Sequence, residues 1–234
     1  MRTLALMTLA VGCVVADFGN DPPVPARKPV WYTGHWDTGI EIEIVYDLMC
    51  PDSASGNPPL QQFLDMPFDN TPGSLKVRDR IQLSYSFLPL PYHHEVWIPH
   101  TIVPSLLDQC LADSKSCIFY DYMDFCFQNQ DFILTAKDTS QDDLIKQWTK
   151  KVADQFHLNQ QDLLALYSRD TDKHNSEMRT RYMYKYNAHH HVSGTPFAIV
   201  NGIILQDFPT TANDWMDMLT TIWSQTNGGI YYRR

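Results

Sequence analysis

The sequence predicts an α/β fold in which two strand-containing units flank a long helical block. Three observations carry this. Ile42-Glu43-Ile44-Val45-Tyr46-Asp47-Leu48-Met49 is an alternating apolar run, and Ile81, Leu83, Tyr85 and Phe87 alternate with polar residues, the period of a strand with one buried face. Phe197–Val200 and Ile203–Leu205 flank Asn201-Gly202, the strongest short hairpin signal. Between the second and third of these, from Glu95 to about Tyr186, the apolar spacing is helical throughout. The resulting order is strand–helix–strand, helical block, strand–strand–helix.

Residues 17–38 hold Pro22, Pro23, Pro25 and Pro29 without periodicity and read as an extended lead-in. The first strand is expected at 40–49 and ends at Cys50. Beyond it, Ser55-Gly56-Asn57-Pro58-Pro59 interrupts any single long helix. A turn or short helix is expected at Cys50, then a fresh helix with Asn57 as N-cap, Pro58 as first residue and Leu60, Phe63 and Leu64 as its buried face. The second strand stops at Pro89-Leu90-Pro91, which cannot continue a ladder. Helices follow through Val103–Cys110, Phe119–Phe127, Leu144–Val152, Leu163–Leu166 (capped at Asn159) and about 173–187. After the hairpin, Thr211-Ala212-Asn213-Asp214 resembles a capping box opening a last helix with Trp215, Met218, Leu219 and Trp223.

A chain of 234 residues with 44% hydrophobic and 12% aromatic residues has ample material for a packed core. Its formal charge of −9 and pI near 5.3 argue against nucleic acid and anionic membranes as partners. Arg2, the apolar run Leu4–Val15 and small Val14 and Ala16 read as a secretory signal cleaved before Asp17. The run is too short for a core of about 30 Å, and no later segment reads as a membrane span. Leu9-Ala10-Val11-Gly12-Cys13 resembles a lipoprotein box only loosely, and Tyr231-Tyr232-Arg233-Arg234 is no ER-retention signal. The expected location is therefore secreted or a secretory lumen.

With Cys13 removed, Cys50, Cys110, Cys117 and Cys126 remain, too few to build the scaffold. A Cys110–Cys117 bridge across a helix–helix corner is favoured, since Ala112-Asp113-Ser114-Lys115 has the composition of a turn; reduced core cysteines are the alternative.

Cys50-Pro51-Asp52-Ser53 stands where a strand turns into a helix, the place of a Cys-x-x-Cys redox motif, with serine in the fourth position. With the late Thr195-Pro196 and the hairpin after it, the chain resembles the thioredoxin superfamily, and the central insertion resembles that of DsbA-like oxidoreductases. Cys-Pro-Asp-Ser with Pro89-Leu90-Pro91-Tyr92-His93-His94 is similar to a eukaryotic, plant-type subgroup of thioredoxin-fold proteins. The resemblance spans about residues 40–225 and implies a thioredoxin-like core (39–92 and 189–226) interrupted by an all-helical insertion (93–188). The signal peptide (1–16), the lead-in (17–38) and a tail (227–234) complete the expected division. The resemblance also implies that Thr195-Pro196 is cis and faces Cys50, with the Thr195 backbone pairing with a substrate strand.

Cys50 and Ser53 are the catalytic candidates, and Pro51, Asp52, Thr195 and Pro196 the substrate-binding ones. A sulfur at a helix N-terminus faces unpaired N–H groups that favour thiolate; the carboxylates of Asp52 and Asp47 oppose it. The alternative reading of Cys50 is a small buried hydrophobe. Ser53 either donates a hydrogen bond to Cys50 or marks a decayed enzyme. His93, His94 and His191 are candidates for cationic support of the thiolate. A Zn²⁺ or Cu site with Cys50 is a second reading and solvated helix-end histidines a third; the spacing fits no zinc motif, and no metal is assigned. Aromatic residues at 119–122 and 182–186 read as core or domain interface, with an exposed peptide groove as the alternative.

The leading function is thiol–disulfide exchange through one sulfur, with cysteine-containing polypeptides or glutathione as partners and glutathione, if anything, as co-substrate. A non-catalytic polypeptide-binding module and a glutathione-dependent transferase are the alternatives.

Overall fold

The computed structural model describes residues 30–34, 38–69 and 73–227. The expected signal peptide, most of the lead-in and the tail beyond Asn227 lie outside them. The first strand is β1 (Trp31–Gly34), inside the expected lead-in, followed by β2 (Glu41–Tyr46). Four residues are too few to show a period. β1 is recognisable only from its antiparallel partner β3 (Gln82–Phe87), with Trp31 opposite Tyr85.

Helix α1 (Pro51–Asp65) runs unbroken through Pro58 and Pro59, which corrects the expected break. Two missing N–H groups cost ladder hydrogen bonds, yet Ser53, Asn57, Leu60 and Leu64 share one buried stripe that a break would expose. Asn57 is therefore not a cap. Its Nδ2 donates to Asp124 Oδ1 at 2.9 Å and its Oδ1 accepts from Gln61 Nε2 at 3.2 Å.

The insertion comprises α2 (Trp97–Ala112), α3 (Phe119–Gln128), α4 (Gln130–Leu134), α5 (Gln141–Phe156), α6 (Gln160–Ala165) and α7 (Ser176–His189). Asn159 caps α6 by accepting from Gln161 N at 2.8 Å. A Cys110–Cys117 disulfide closes the corner between α2 and α3, and Cys126 is buried and free. Then come β4 (Phe197–Val200), β5 (Ile203–Ile204) and α8 (Ala212–Asn227). Thr211 Oγ1 accepts from Asp214 N at 3.1 Å while Asp214 Oδ2 accepts from Thr211 N at 3.0 Å, a reciprocal cap.

The sheet order is β1-β3-β2-β4-β5, with β2 parallel to β3 and antiparallel to β4. On one face lies the main apolar core, where Trp215 of α8 stacks on Phe63 of α1 with ring centroids 5.6 Å apart. The other face, polar by alternation, is buried as well: Gln82, Ser84, Ser86 and Glu43 are all covered. Helix α7 meets it with polar groups of its own. Ser86 Oγ donates to Asn187 Oδ1 at 2.9 Å, and Tyr186 OH donates to Glu43 Oε2 at 2.9 Å. Pairs of this kind help a polar strand face to be buried, although Ser84 Oγ on the same face has no hydrogen-bond partner. The aromatic run 182–186 thus serves packing: Tyr184 joins Val45, Leu88, Leu90 and Val192 in a second apolar cluster. No helix among the described residues is long and apolar enough to cross a membrane.

Candidate active site

Cys50 is the N-cap of α1, where strand β2 has ended and the chain turns over Asp47–Cys50. Pro51 occupies the first helical position, where no N–H partner is needed. The Cys50 residue is 4% exposed, and its thiol donates to the carbonyl of Thr195 at 3.2 Å. That carbonyl belongs to a cis Thr195–Pro196 bond. Pro196 also lies against α1: a Cβ on Gly56 would stand 3.3 Å from Pro196 Cγ and 3.0 Å from Phe208 Cε1. Glycine at 56 therefore permits the close approach of the Pro196 loop to the helix that carries Cys50. Pro51 and Asp52 are exposed beside it.

The Cys50 loop is held almost atom by atom. Cys50 N donates to Asp47 O at 3.1 Å, and Met49 N to Asp47 Oδ1 at 2.8 Å. Leu48 N donates to His100 Nε2 at 3.1 Å. Gln130 Nε2, at the start of α4, donates to Leu48 O at 3.1 Å and Cys50 O at 2.8 Å. Ser53 is fully buried, and its Oγ accepts from Asp47 N at 3.4 Å. Its oxygen thus accepts from the loop backbone, and with Cys50 as a thiol donating to Thr195 O no Ser53–sulfur hydrogen bond is made.

The histidines separate. His93 Nδ1 lies 2.6 Å from Asp47 Oδ2, so it supports that carboxylate and not the thiolate directly. His94 Nε2 pairs with Ala136 O at 3.3 Å. His191 is exposed, in a left-handed turn at φ 59°. None of the three hydrogen-bonds to Cys50 Sγ. Among the described residues no three His, Cys, Asp or Glu side chains converge as a metal site requires.

Three participants escaped sequence reasoning: Asp47 as a hub, His100 and Gln130. Asp47 is fully buried, and its Oδ2 also accepts from Leu90 N at 3.1 Å. His100 sits on α2 in an apolar run that reads as core. Accepting from Leu48 N on Nε2 and donating from Nδ1 to Val96 O at 2.8 Å, it is held neutral. Burial pushes its pKa down, against the opposing charge of Asp47 3.6 Å away. Since the free imidazole titrates near 6.5 and the folded one lower, protons bind the unfolded chain first. The His100 contribution is complete above about pH 6.5 and is lost as pH falls through the lower folded value. Expected in urea titrations is a midpoint that falls on acidification from pH 7 to 5, and falls less in His100→Gln. Tyr92, 70% exposed, projects beside the site. Its phenol is raised, first by partial desolvation and then by the negative potential of Cys50, Asp47 and Asp52.

No protein-family model and no curated protein sequence matches this chain. Its structure is similar to BdbD from Bacillus subtilis in the oxidised form (TM-score 0.54, 16% identity, 84% of this chain and 93% of that one). It is also similar to a putative protein-disulfide isomerase from Pseudomonas syringae (TM-score 0.53, 12% identity, 80% of this chain and 96% of that one). A thioredoxin-like oxidoreductase from Silicibacter pomeroyi matches at TM-score 0.53 and 12% identity, over 84% of this chain and 93% of its own. Together with the sheet order, these define a thioredoxin-like fold with an all-helical insertion, of the DsbA-like kind.

Proposed function

We propose that this protein carries out thiol–disulfide exchange through Cys50 as a single nucleophilic sulfur. The observation that carries the reading is the Cys50 sulfur at the N-cap of α1, 3.2 Å from the carbonyl of the cis Thr195–Pro196 loop. In the reaction, Cys50 loses its proton to solvent and attacks a substrate disulfide. One substrate sulfur stays bonded to Cys50 and the other leaves as thiolate. An external thiolate then attacks the substrate sulfur, releases Cys50 and restores a disulfide, so that the cycle exchanges partners without net oxidation. Ser53 supplies no second sulfur, and Cys126 is fully buried with its thiol pushed up by burial. Isomerisation and removal of glutathione adducts fit this chemistry; net dithiol oxidation does not.

The substrates are cysteine-containing polypeptides or glutathione, the former laid along the Thr195 backbone with Pro51, Asp52 and Pro196 around the sulfur. The Cys110–Cys117 bridge suits a secreted protein or one of a secretory lumen, where such bonds persist. A second reading, a polypeptide-binding module without turnover, is favoured by the 4% exposure of Cys50 and the engagement of its thiol. A test separates them: a peptide carrying one mixed disulfide is incubated with the protein and the products are weighed intact. Exchange gives a peptide adduct at Cys50 that is absent in Cys50→Ser. Peptide binding that is equal in both proteins, with no adduct, supports the module instead.

A further inference from the structure

Asp47 has no assigned part in that exchange, yet it is a fully buried acidic side chain directly under the reactive turn. Its two oxygens accept from Met49 N, Leu90 N and His93 Nδ1. Of this cluster only His93 reaches solvent, with 15% of its side chain exposed against none for Asp47 and 1% for His100. His100 from α2 faces Asp47 at 3.6 Å, and the ring of Tyr92 lies edge-on to His93 at 4.8 Å, with its phenol in the negative potential of Cys50, Asp47 and Asp52.

We propose that Asp47 and His93 are the positioning pair of Cys50, Asp47 fixing the turn that presents the sulfur and His93 holding the Asp47 carboxylate in place. The inference rests on Cys50 being the reactive group. Asp47 accepts from Cys50 N on its carbonyl and from Met49 N on Oδ1, while Leu90 N and His93 Nδ1 anchor Oδ2. His93 thereby acts on Cys50 through the turn without touching the sulfur.

The test is alkylation of Cys50 by iodoacetamide at one fixed pH, read by mass spectrometry. Relative to wild type, His93→Ala is expected to react about fivefold more slowly because the turn is no longer held, and His93→Asn, whose amide can donate to Asp47 as Nδ1 does, to recover most of that rate. His93→Ala as fast as wild type, or folded His93→Asn as slow as His93→Ala, overturns the pair. Should His93→Ala fail to fold, His93→Leu against His93→Asn carries the same decision. Alkylation needs no disulfide, so the expected alkylation rates alongside failed peptide exchange would overturn the proposed function and leave the pair standing.

Discussion

Asp47→Ala should lower stability by about 3 kcal/mol, a large share of what a domain of this size has to lose. The side chain is fully buried and serves Met49 N, Leu90 N and His93 at once. Its removal leaves two backbone donors and the His93 ring nitrogen without their acceptor; each orphaned buried donor costs roughly 1–3 kcal/mol, less whatever water recovers. Because the turn 47–50 carries the sulfur, the loss should appear in function too. Amide exchange at Met49 and Leu90 should accelerate in the variant before the rest of the sheet is affected. Urea titration gives the stability; a change under 1 kcal/mol would show that the cluster is not holding the turn.

Ser53→Cys has the largest expected effect on chemistry. Positions 50 and 53 are the N-cap and third residue of one helix, a separation that a disulfide spans. Ser53 Oγ makes only a long contact to Asp47 N at 3.4 Å, so exchanging oxygen for sulfur sacrifices little. A second thiol held within the same turn attacks as an intramolecular group with a high effective concentration. The mixed disulfide at Cys50 should then resolve without external thiol, its lifetime falling at least about tenfold. The product should weigh two hydrogens less than the reduced protein. Stopped-time mass spectra of wild type and variant charged with the same peptide disulfide decide it; equal lifetimes would mean the helix start cannot bring the two sulfurs together.

Much of the architecture was legible because it is written in local periods. The alternation at 42–46 and 81–87, Asn201-Gly202 and the Thr211–Asp214 box each act within a few residues, and each became the expected element. β1 was not legible, since Trp31–Gly34 becomes a strand only through a partner about fifty residues away. The continuity of α1 failed for a related reason: the local rule about proline is sound, but burial of Ser53, Asn57, Leu60 and Leu64 outweighs it. The sulfur and its Pro196 loop could be placed from motif and resemblance. The groups that hold the sulfur could not. His100 meets Leu48 across 52 residues and Gln130 meets Cys50 across 80, and neither residue type stands out in its own helix. A carboxylate three residues before a cysteine reads as a neighbouring negative charge until the fold shows what it binds.

The proposed cycle runs on one sulfur that needs a second from outside, and charging the reduced protein with oxidised glutathione tests it most directly. Intact mass should show one glutathione at Cys50, persisting in buffer without free thiol and discharged when reduced glutathione is added, with no adduct in Cys50→Ser. Failure of wild type to take up glutathione, or loss of the adduct without added thiol through an internal bond to Cys126, would contradict it.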